Sequence, residues 1–366
     1  MGEYRHLPGT MTTVRLPGLA DPHVHVRGLG QRHKEDCATC TRAALAGGFT
    51  TILAMPNTRP AIVAEPALLE YQAEARAEAY CDYGFHLGAT EHNMLEVARL
   101  APRSTGLKLY LDPTFGDLKL ASLRALVEHA ATFPRDVPLL AHAEEHSLAS
   151  ALLVAHLAER PLHVCHVSRK VEIELVARAK DKGMRVSCEV CPHHLFLDES
   201  SHRLAAGFCE VRPVIGEKSD VDALWAHLGT IDCFATDHAP HTKAEKASAT
   251  PPPGFPGLET ALSLFLTAVH EGKLTLADVE AKMSANVRRI FALPEQPDTY
   301  VEVDVDAKFA FDESRFESRA GWSPFHDVPV RGRVERVVLR GAEVYASGEI
   351  KGSAGTGRDV REVPRG

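Results

Sequence analysis

The sequence predicts an α/β protein built as a (β/α)8 barrel, with a small additional β-module. Eight short apolar or β-branched runs recur along the chain, and each is followed by a longer stretch of helical composition. The length of 366 residues suits one large barrel or two average domains. Strand and helix alternating eight times is the pattern of a parallel barrel surrounded by helices.

The predicted barrel strands are the apolar runs themselves. In chain order they are LADPHVHV, FTTILAMP, YGFHLGA, GLKLYL, VPLLAHAE, PLHVCHV, MRVSCEV and IDCFATDH. The stretches between them combine Ala, Leu and Glu with the apolar spacing of amphipathic helices. They include CATCTRAALAGG, PALLEYQAEARAEAY, LASLRALVEHAATF, HSLASALLVAHLAER and KVEIELVARAKDKG.

Two later segments do not follow this alternation. The loop from His241 through PPPGFPG is too rich in proline and glycine to be a helix or a central strand, and helices are expected from Leu258 to about Leu293. The tail from about Thr299 alternates like short antiparallel strands. We therefore predict a barrel over residues 17–297 and a β-module formed by residues 1–16 and 298–366.

Composition and charge narrow the class of protein. No apolar run approaches the roughly 20 residues that span a bilayer, and the first residues, MGEYRHLPGT, lack a signal-peptide core, so we expect a cytoplasmic protein without membrane contact. The net charge of -8 and the absence of a Lys/Arg-rich run argue against nucleic acid as a partner. Eight scattered cysteines predict neither a disulfide framework nor a paired zinc knuckle.

Polar residues interrupt the apolar runs near their carboxyl ends. In DPHVHVR, His23 and His25 share one face of a strand because side chains alternate along it. An isolated pair of this kind is as easily structural as metal-binding. In a barrel, however, all carboxyl ends of the strands face one cup, which would bring several such residues together. The residues concerned are His23, His25, Asn57, Lys108, His142, His166, Glu189 and Asp237.

Four histidines, a lysine and two carboxylates at one edge indicate a metal centre. Imidazole and carboxylate ligands suit Zn²⁺, with Mn²⁺, Co²⁺ and Fe²⁺ as alternatives. Lys108 does not fit as an ammonium, which metal cations would repel, whereas a CO2-derived carbamate on Lys108 is an anion with two oxygens that can bridge two metals. Such a centre acidifies water and polarises a carbonyl, so we expect hydrolysis of an amide-type bond or its reverse.

Ten ordered motifs then resemble the dihydroorotases of the amidohydrolase superfamily, above all the dihydroorotase domain of multifunctional pyrimidine-synthesis proteins. The motifs are HVHVR, AMPNTRP, GLKLYL, LLAHAEE, HVCHVSRK, CEVCPHHLFL, CEVRP, FATDHAPHT, PPPGFPGLET and ANVRRIF. The resemblance implies reversible cyclisation of N-carbamoyl-L-aspartate to L-dihydroorotate in pyrimidine biosynthesis. It also implies a homodimer and association with aspartate carbamoyltransferase.

The resemblance implies specific ligand sets as well. One zinc would be held by His23, His25, carbamylated Lys108 and Asp237. A second zinc would be held by Lys108, His142 and His166. The dihydroorotase domains that this chain resembles carry a third zinc on a histidine of the first pair, a cysteine and a glutamate. Cys165 and Glu189 match the positions of that cysteine and that glutamate. A small buried thiol explains Cys165 equally well.

Roles in catalysis and substrate binding follow from the chemistry and from the resemblance. Asp237 would act as the general base and acid, and Arg27 would bind a substrate carboxylate through its guanidinium fork. The resemblance adds Asn57, Arg212 and His241 to substrate binding. It also matches Thr114 and Phe115 to a mobile loop that closes over the substrate.

One local departure concerns the turn after Arg27. The family usually has an acidic residue, proline and glycine there, whereas this chain has Gly28, Leu29 and Gly30, which replaces a rigid turn by a flexible one. His193 and His194 are assigned no role beyond hydrogen bonding in a strand-to-helix turn.

Two other functions compete with a dihydroorotase. A hydantoinase or allantoinase would share the metal cup, but Arg27, Asn57 and Arg212 favour a ring that carries a carboxylate. An inactive dihydroorotase-like scaffold for a carbamoyltransferase would typically lack ligands or the lysine, and this sequence keeps all of them.

Overall fold

The computed structural model describes residues 13–200 and 205–362, and over these ranges the chain forms two sheets. Parts of the predicted β-module, residues 1–12 and 363–366, lie outside the described residues. Strand β1 (Thr13–Pro17) belongs to the smaller sheet. The larger sheet pairs eight parallel strands in chain order: β2 (Leu19–Val24), β3 (Phe49–Ala54), β4 (Asp82–Gly88), β5 (Gly106–Tyr110), β6 (Leu139–His142), β7 (Leu162–Val164), β8 (Val186–Val190) and β9 (Cys233–Phe234). Each overlaps one predicted run, so the predicted barrel is confirmed.

The barrel closes between β9 and β2 through a few specific contacts. A parallel bridge joins Val24 to His238, and the His25 N–H donates to the His238 carbonyl at 2.8 Å. The buried Asp21 carboxylate accepts from the Thr236 backbone N–H at 3.2 Å and from the Thr236 hydroxyl at 2.5 Å. Burial raises the pKa of Asp21 to about 7 despite these hydrogen bonds. The first and last barrel strands are thus held together where the site residues emerge.

Helices alternate with the strands around the barrel. They are α1 (Cys37–Ala46), α2 (Glu65–Glu78), α3 (Met94–Leu100), α4 (Leu123–Thr132), α5 (Glu145–Leu157), α6 (Lys170–Asp181), α7 (Pro192–Phe196) and α8 (Lys218–Ala226). Predicted helical stretches correspond to α1, α2, α4, α5 and α6. Their apolar faces are buried against the sheet, for example through Leu45, Leu68 and Ile173. In the described part of the chain, no helix is long and apolar enough to cross a membrane.

The segment after β9 contains one helix that the sequence does not predict. Helix α9 (Lys243–Lys246) begins inside the loop from His241, because Thr242 and Glu245 cap each other's backbone N–H groups. The predicted run of helices from Leu258 to Leu293 is confirmed. It consists of α10 (Ala261–His270), α11 (Leu276–Glu280), a π-helical turn over Ala281–Ala285 and α12 (Asn286–Ile290).

The smaller sheet unites the two ends of the chain, as predicted. Its antiparallel order is β1, β10 (Tyr300–Ala310), β11 (Pro329–Leu339), β12 (Ala342–Ala346) and β13 (Glu349–Ile350). Helix α10 lies beside β11, and the Ser263 hydroxyl donates to the Gly332 carbonyl at 2.6 Å. The domain boundaries after residues 16 and 297 stay a prediction.

Asp82, at the start of β4, connects the barrel to the C-terminal segments. Both of its carboxylate oxygens lie 2.6 Å from Arg340 Nη1, and it also accepts from Gln296 Nε2 and from the Arg358 backbone N–H. We predict that Asp82→Asn lowers the free energy of unfolding by about 2–4 kcal/mol, because it leaves the largely buried Arg340 cation without its partner. Urea denaturation measures this change.

The matched control is the exposed pair of Arg135 and Glu159, whose groups lie 3.2 Å apart. Glu159→Gln should change the free energy of unfolding by less than about 0.5 kcal/mol, because exposed ion pairs are screened by water. Equal effects of the two substitutions would contradict the role given to Asp82.

Candidate active site

The carboxyl ends of β2 and β9 bring the first group of metal-binding side chains together. His23 Nε2 and His25 Nε2 lie 3.2 and 3.0 Å from the same oxygen of Asp237. All three residues are buried, and their donor atoms are close enough to hold one metal ion. Burial raises the pKa of Asp237, but His23 and His25 outweigh that effect and hold the pKa well below its ordinary value. The carboxylate is therefore ionised at neutral pH.

A second group of donors shares His23 with the first. It consists of His23, Cys165 and Glu189, which are all buried and also lie close enough together to hold a metal ion. One Glu189 oxygen contacts His23 Nδ1, and the other lies 3.0 Å from His163 Nε2. Burial raises the pKa of Glu189, but His23 and His163 together bring it below its ordinary value. His163 is a contact that the sequence does not predict.

His142 and His166 form the third part of the centre. His142 Nδ1 lies 2.8 Å from His166 Nε2, and the other nitrogen of each ring is buried and has no hydrogen-bond partner within the described ranges. Burial lowers the pKa of His142 to about 3 and that of His166 well below its ordinary value. Both rings are therefore neutral at physiological pH. Buried neutral imidazoles with free nitrogen atoms are suited to bind a metal.

Lys108 lies on β5 beside these histidines and is fully buried. Among the described residues, its Nζ donates a hydrogen bond to Cys165 Sγ, at 2.9 Å, and no carboxylate lies within ion-pair distance. A buried ammonium without a counter-ion is energetically costly. Lys108 contacts the second donor group through Cys165.

Three residues of the site have a strained backbone. The φ angles of Arg27, His166 and Asp237 are 66°, 34° and 45°, which side chains other than glycine rarely adopt. Each residue lies two or three positions beyond the end of its strand. Strain of this kind costs on the order of 1–3 kcal/mol per residue and is maintained only where the surroundings require it. The three residues thus leave their strands through the same uncommon backbone conformation, which turns the chain at the carboxyl end of the barrel.

A cationic cluster lies next to the metal-binding groups. Arg27 is 2% exposed, its Nε donates to the Pro240 carbonyl, and its Nη2 lies 3.1 Å from His241 Nε2. Lys34 Nζ lies 2.9 Å from both His241 Nδ1 and Glu245 Oε1. Burial and the two cations lower the pKa of His241, which therefore stays neutral. Lys34 follows no predicted strand, so no pattern in the sequence predicts its position here.

Asn57 and the predicted mobile loop cover this cluster. Asn57 Oδ1 lies 2.7 Å from His25 Nδ1, and its Nδ2 donates to the Phe115 carbonyl at 3.0 Å. The Phe115 ring lies 4.5 Å from Lys34 Nζ and 5.1 Å from the Arg27 guanidinium carbon. A narrow cleft joins the metal-binding groups to the cations, and it is lined by His25, Arg27, Asn57, Thr114, Phe115, Arg212, Asp237, Ala239, Pro253 and Gly254.

The start of α7 carries a further group that the sequence prediction missed. Cys191, His193 and His194 are buried, and their donor atoms are close enough to hold a metal ion. His194 Nε2 lies 3.1 Å from the Pro213 carbonyl oxygen, which agrees with a hydrogen-bonding role. In the part of the chain that the structure describes, His193 Nε2 and His194 Nδ1 have no hydrogen-bond partner.

Comparisons with known proteins identify relatives across almost the whole chain. The model of the amidohydrolase family matches residues 14–296. The multifunctional protein CAD of Squalus acanthias is 48% identical over 354 residues, which are 96% of this chain but 16% of that protein. The chain therefore spans only a small part of this relative. The dihydroorotase of Pyrococcus abyssi is 35% identical over 95% of this chain and 87% of its own length.

Solved structures share the fold. An L-hydantoinase (dihydropyrimidinase) from Arthrobacter aurescens superposes with a TM-score of 0.91 at 24% identity, over 96% of this chain and 89% of that one. The inactive dihydroorotase-like domain of a CAD-like multifunctional protein from Chaetomium thermophilum gives a TM-score of 0.82 at 29% identity, over 95% and 99% of the two chains. The first likeness concerns the fold alone.

We predict that Zn²⁺ raises the thermal unfolding midpoint of chelator-treated protein by several degrees, because the donors are assembled only in the folded state. The double substitution His142→Ala and His166→Ala should remove a large part of this shift. Differential scanning fluorimetry with and without Zn²⁺ measures it.

His129→Asn is the matched control for the zinc shift. His129 is also buried, and one of its ring nitrogens has no hydrogen-bond partner among residues 13–200 and 205–362, but it lies on α4 outside the three groups. This variant should keep the full shift. A shift that survives in the double variant, or disappears in the control, would contradict the assignment of the donors.

Proposed function

Because the chain belongs to the amidohydrolase family, we propose that it is a dihydroorotase, which interconverts N-carbamoyl-L-aspartate and L-dihydroorotate in pyrimidine biosynthesis. The observation that carries the proposal is the shared cleft. Within it, the metal-binding side chains His25 and Asp237 face the same space as Arg27 and Arg212. Cleavage of a cyclic amide that bears a carboxylate needs a metal centre at the bond that breaks and a cation that binds the carboxylate. The cleft contains residues for both.

The donor groups support a zinc centre of two metals. We assign the first to His23, His25, Asp237 and a carbamate on Lys108, and the second to the same carbamate with His142 and His166. Two observations on the described residues support this assignment: one ring nitrogen of His142 and one of His166 are buried without a hydrogen-bond partner, and Lys108 has no carboxylate within ion-pair distance. When bound, the metals supply acidified water and polarisation of the substrate carbonyl. A third zinc on His23, Cys165 and Glu189 fits the second donor group, although a thiol that only fills space would fit as well.

Asp237 is the proposed proton carrier. During ring opening, the oxygen of water bonds to the carbonyl carbon, the bond from that carbon to the ring nitrogen breaks, and Asp237 moves a proton from the water to the leaving nitrogen. In cyclisation the same carboxylate takes the proton from the ureido nitrogen. The lowered pKa of Asp237 keeps it in the basic form that ring opening requires.

Arg27 provides the proposed specificity. Its buried guanidinium has no carboxylate within ion-pair distance among the described residues, so a substrate carboxylate would complete its pairing. Asn57, which contacts His25, adds a hydrogen-bonding amide to the same cleft. His241 is fully buried behind the cleft lining and contacts Lys34 and Arg27 through its two ring nitrogens, so its proposed contribution to substrate binding is to hold Arg27. A ring that lacks the carboxylate leaves Arg27 unpaired, which disfavours hydantoin and allantoin.

We further propose a cytoplasmic homodimer that associates with aspartate carbamoyltransferase. The support for this partner is that relatives of high identity are multifunctional proteins. The loop with Thr114 and Phe115 is proposed to close over bound substrate, because Phe115 already covers the cationic cluster.

The zinc-loaded protein should open L-dihydroorotate and leave hydantoin and allantoin unchanged. Asp237→Asn, which keeps the shape but removes the charge, should lower kcat by about 10²–10⁴. Product formation can be followed by chromatography, with the metal content of each variant measured in parallel. Absence of turnover from a fully metal-loaded parent would instead favour the inactive scaffold, and turnover of hydantoin would favour a hydantoinase.

Carbamylation of Lys108 can be tested separately with isotope-labelled bicarbonate. The labelled carbamate carbon should appear in the NMR spectrum of the parent and be absent from Lys108→Ala. Lys246 is the matched control, because it is equally buried but donates to the carbonyls of Glu210, Pro252 and Gly254. A carbamate signal that persists in Lys108→Ala, or is lost in Lys246→Ala, would place the modification elsewhere.

A further inference from the structure

Helix α2 holds the turn that follows Arg27. Residues 29–31 form a single 3-10 turn, entered through Gly28 with a φ of 61°. Glu74 Oε2 accepts the Leu29 N–H at 3.2 Å, and Glu74 Oε1 lies 2.5 Å from Arg32 Nη1. One carboxylate therefore binds the turn at both its start and its end.

Gly28 provides the space for this carboxylate. A Cβ atom at position 28 would lie 2.7 Å from Glu74 Oε2, so the carboxylate occupies the room that a side chain of residue 28 would need. Leu29 provides a backbone N–H that a proline in this position would lack. The family usually has an acidic residue and proline where this chain has Gly28 and Leu29. In this chain, these two residues leave the space and the N–H group that the Glu74 carboxylate of α2 uses.

The turn matters because it fixes the backbone of Arg27. Arg27 has a φ of 66°, and a conformation this unfavourable persists only if neighbouring contacts maintain it. The Tyr71 hydroxyl, one helical turn before Glu74, donates to the Arg27 carbonyl at 3.1 Å. Helix α2 therefore contacts the backbone on both sides of Gly28, at the Arg27 carbonyl and at the Leu29 N–H.

We propose that Glu74 is a positioning residue, which directs the Arg27 guanidinium towards the substrate carboxylate by holding the 28–32 turn. The inference rests on the proposed function of Arg27 in binding a carboxylate. Glu74 itself is nearly buried and does not line the cleft, so it acts through Arg27 and does not touch the substrate.

The first test is Glu74→Ala. We expect the KM for L-dihydroorotate to rise by about tenfold while kcat changes by less than about twofold, because Glu74 supports substrate binding and takes no part in proton transfer. Glu74→Gln keeps an acceptor for the Leu29 N–H but removes the charge, so it should give a smaller rise. An unchanged KM in Glu74→Ala would overturn the proposal.

Glu78→Ala is the matched control on the same helix. Glu78 also pairs with Arg32, at 2.9 Å, but within the described residues it makes no hydrogen bond to the backbone of the turn. Its removal should leave KM within about twofold of the parent. An equal rise in Glu78→Ala would show that the charge of Arg32 matters and not the hydrogen bond to the turn.

Hydrogen exchange tests the role of Glu74 in the turn without any substrate. The Leu29 amide should exchange faster in Glu74→Ala than in the parent and at the parent rate in Glu78→Ala. If the parent does not turn over dihydroorotate, the proposed function fails while this measurement still reports on the turn. Unchanged exchange in a folded Glu74→Ala protein would overturn the role of Glu74 whatever the substrate.

Discussion

Closure of the barrel between β9 and β2 is the constraint on which the candidate site depends. His23 and His25 come from one side of this seam and Asp237 from the other, and one carboxylate oxygen lies within 3.2 Å of both rings. Strand β9 has only two residues, so a continuous ladder does not hold the seam. Asp21, Thr236 and His238 hold it instead, with hydrogen bonds placed directly beside the metal-binding side chains. The architecture and the metal centre are therefore stabilised by the same few contacts.

Burial determines the chemical state of these groups. Histidines removed from water stay neutral, and carboxylates surrounded by histidines stay ionised, which is the combination that a divalent cation needs. Next to them, burial lowers the pKa of Arg27 only to about 10, so its guanidinium keeps its charge. Its hydrogen-bonding contacts are the Pro240 carbonyl and the neutral His241 ring, and the Asp237 and Glu245 carboxylates act on it from beyond ion-pair distance. One end of the cleft thus suits a metal and the other an anion. A cyclic amide that carries a carboxylate satisfies both, which is why a dihydroorotase explains the cleft better than a hydrolase of neutral rings.

Periodicity in the sequence was sufficient to predict the barrel, because buried parallel strands and amphipathic helices leave strong patterns. Helices α3, α7 and α8 follow predicted strands, as the alternation requires, but they are too short for a clear period and their bounds were not predicted. Helix α9 was missed, because it arises from the reciprocal caps of Thr242 and Glu245 within a loop rich in proline. Residues at strand ends, such as His142 and Asp237, could be placed in advance because the topology dictates where they meet. Lys34 and Glu74 could not, since both reach the site from surrounding segments through contacts that only the packed structure brings together.

The most direct test of this account is a crystal structure of the metal-loaded chain with N-carbamoyl-L-aspartate, with anomalous diffraction recorded at the zinc edge. The account predicts anomalous peaks among His23, His25 and Asp237 and between His142 and His166. It also predicts density for a carbamate on Lys108 and a substrate carboxylate paired with Arg27. Anomalous peaks absent from these groups, or a substrate bound with its carboxylates away from Arg27, would contradict the central claim that one cleft joins a metal centre to a carboxylate pocket.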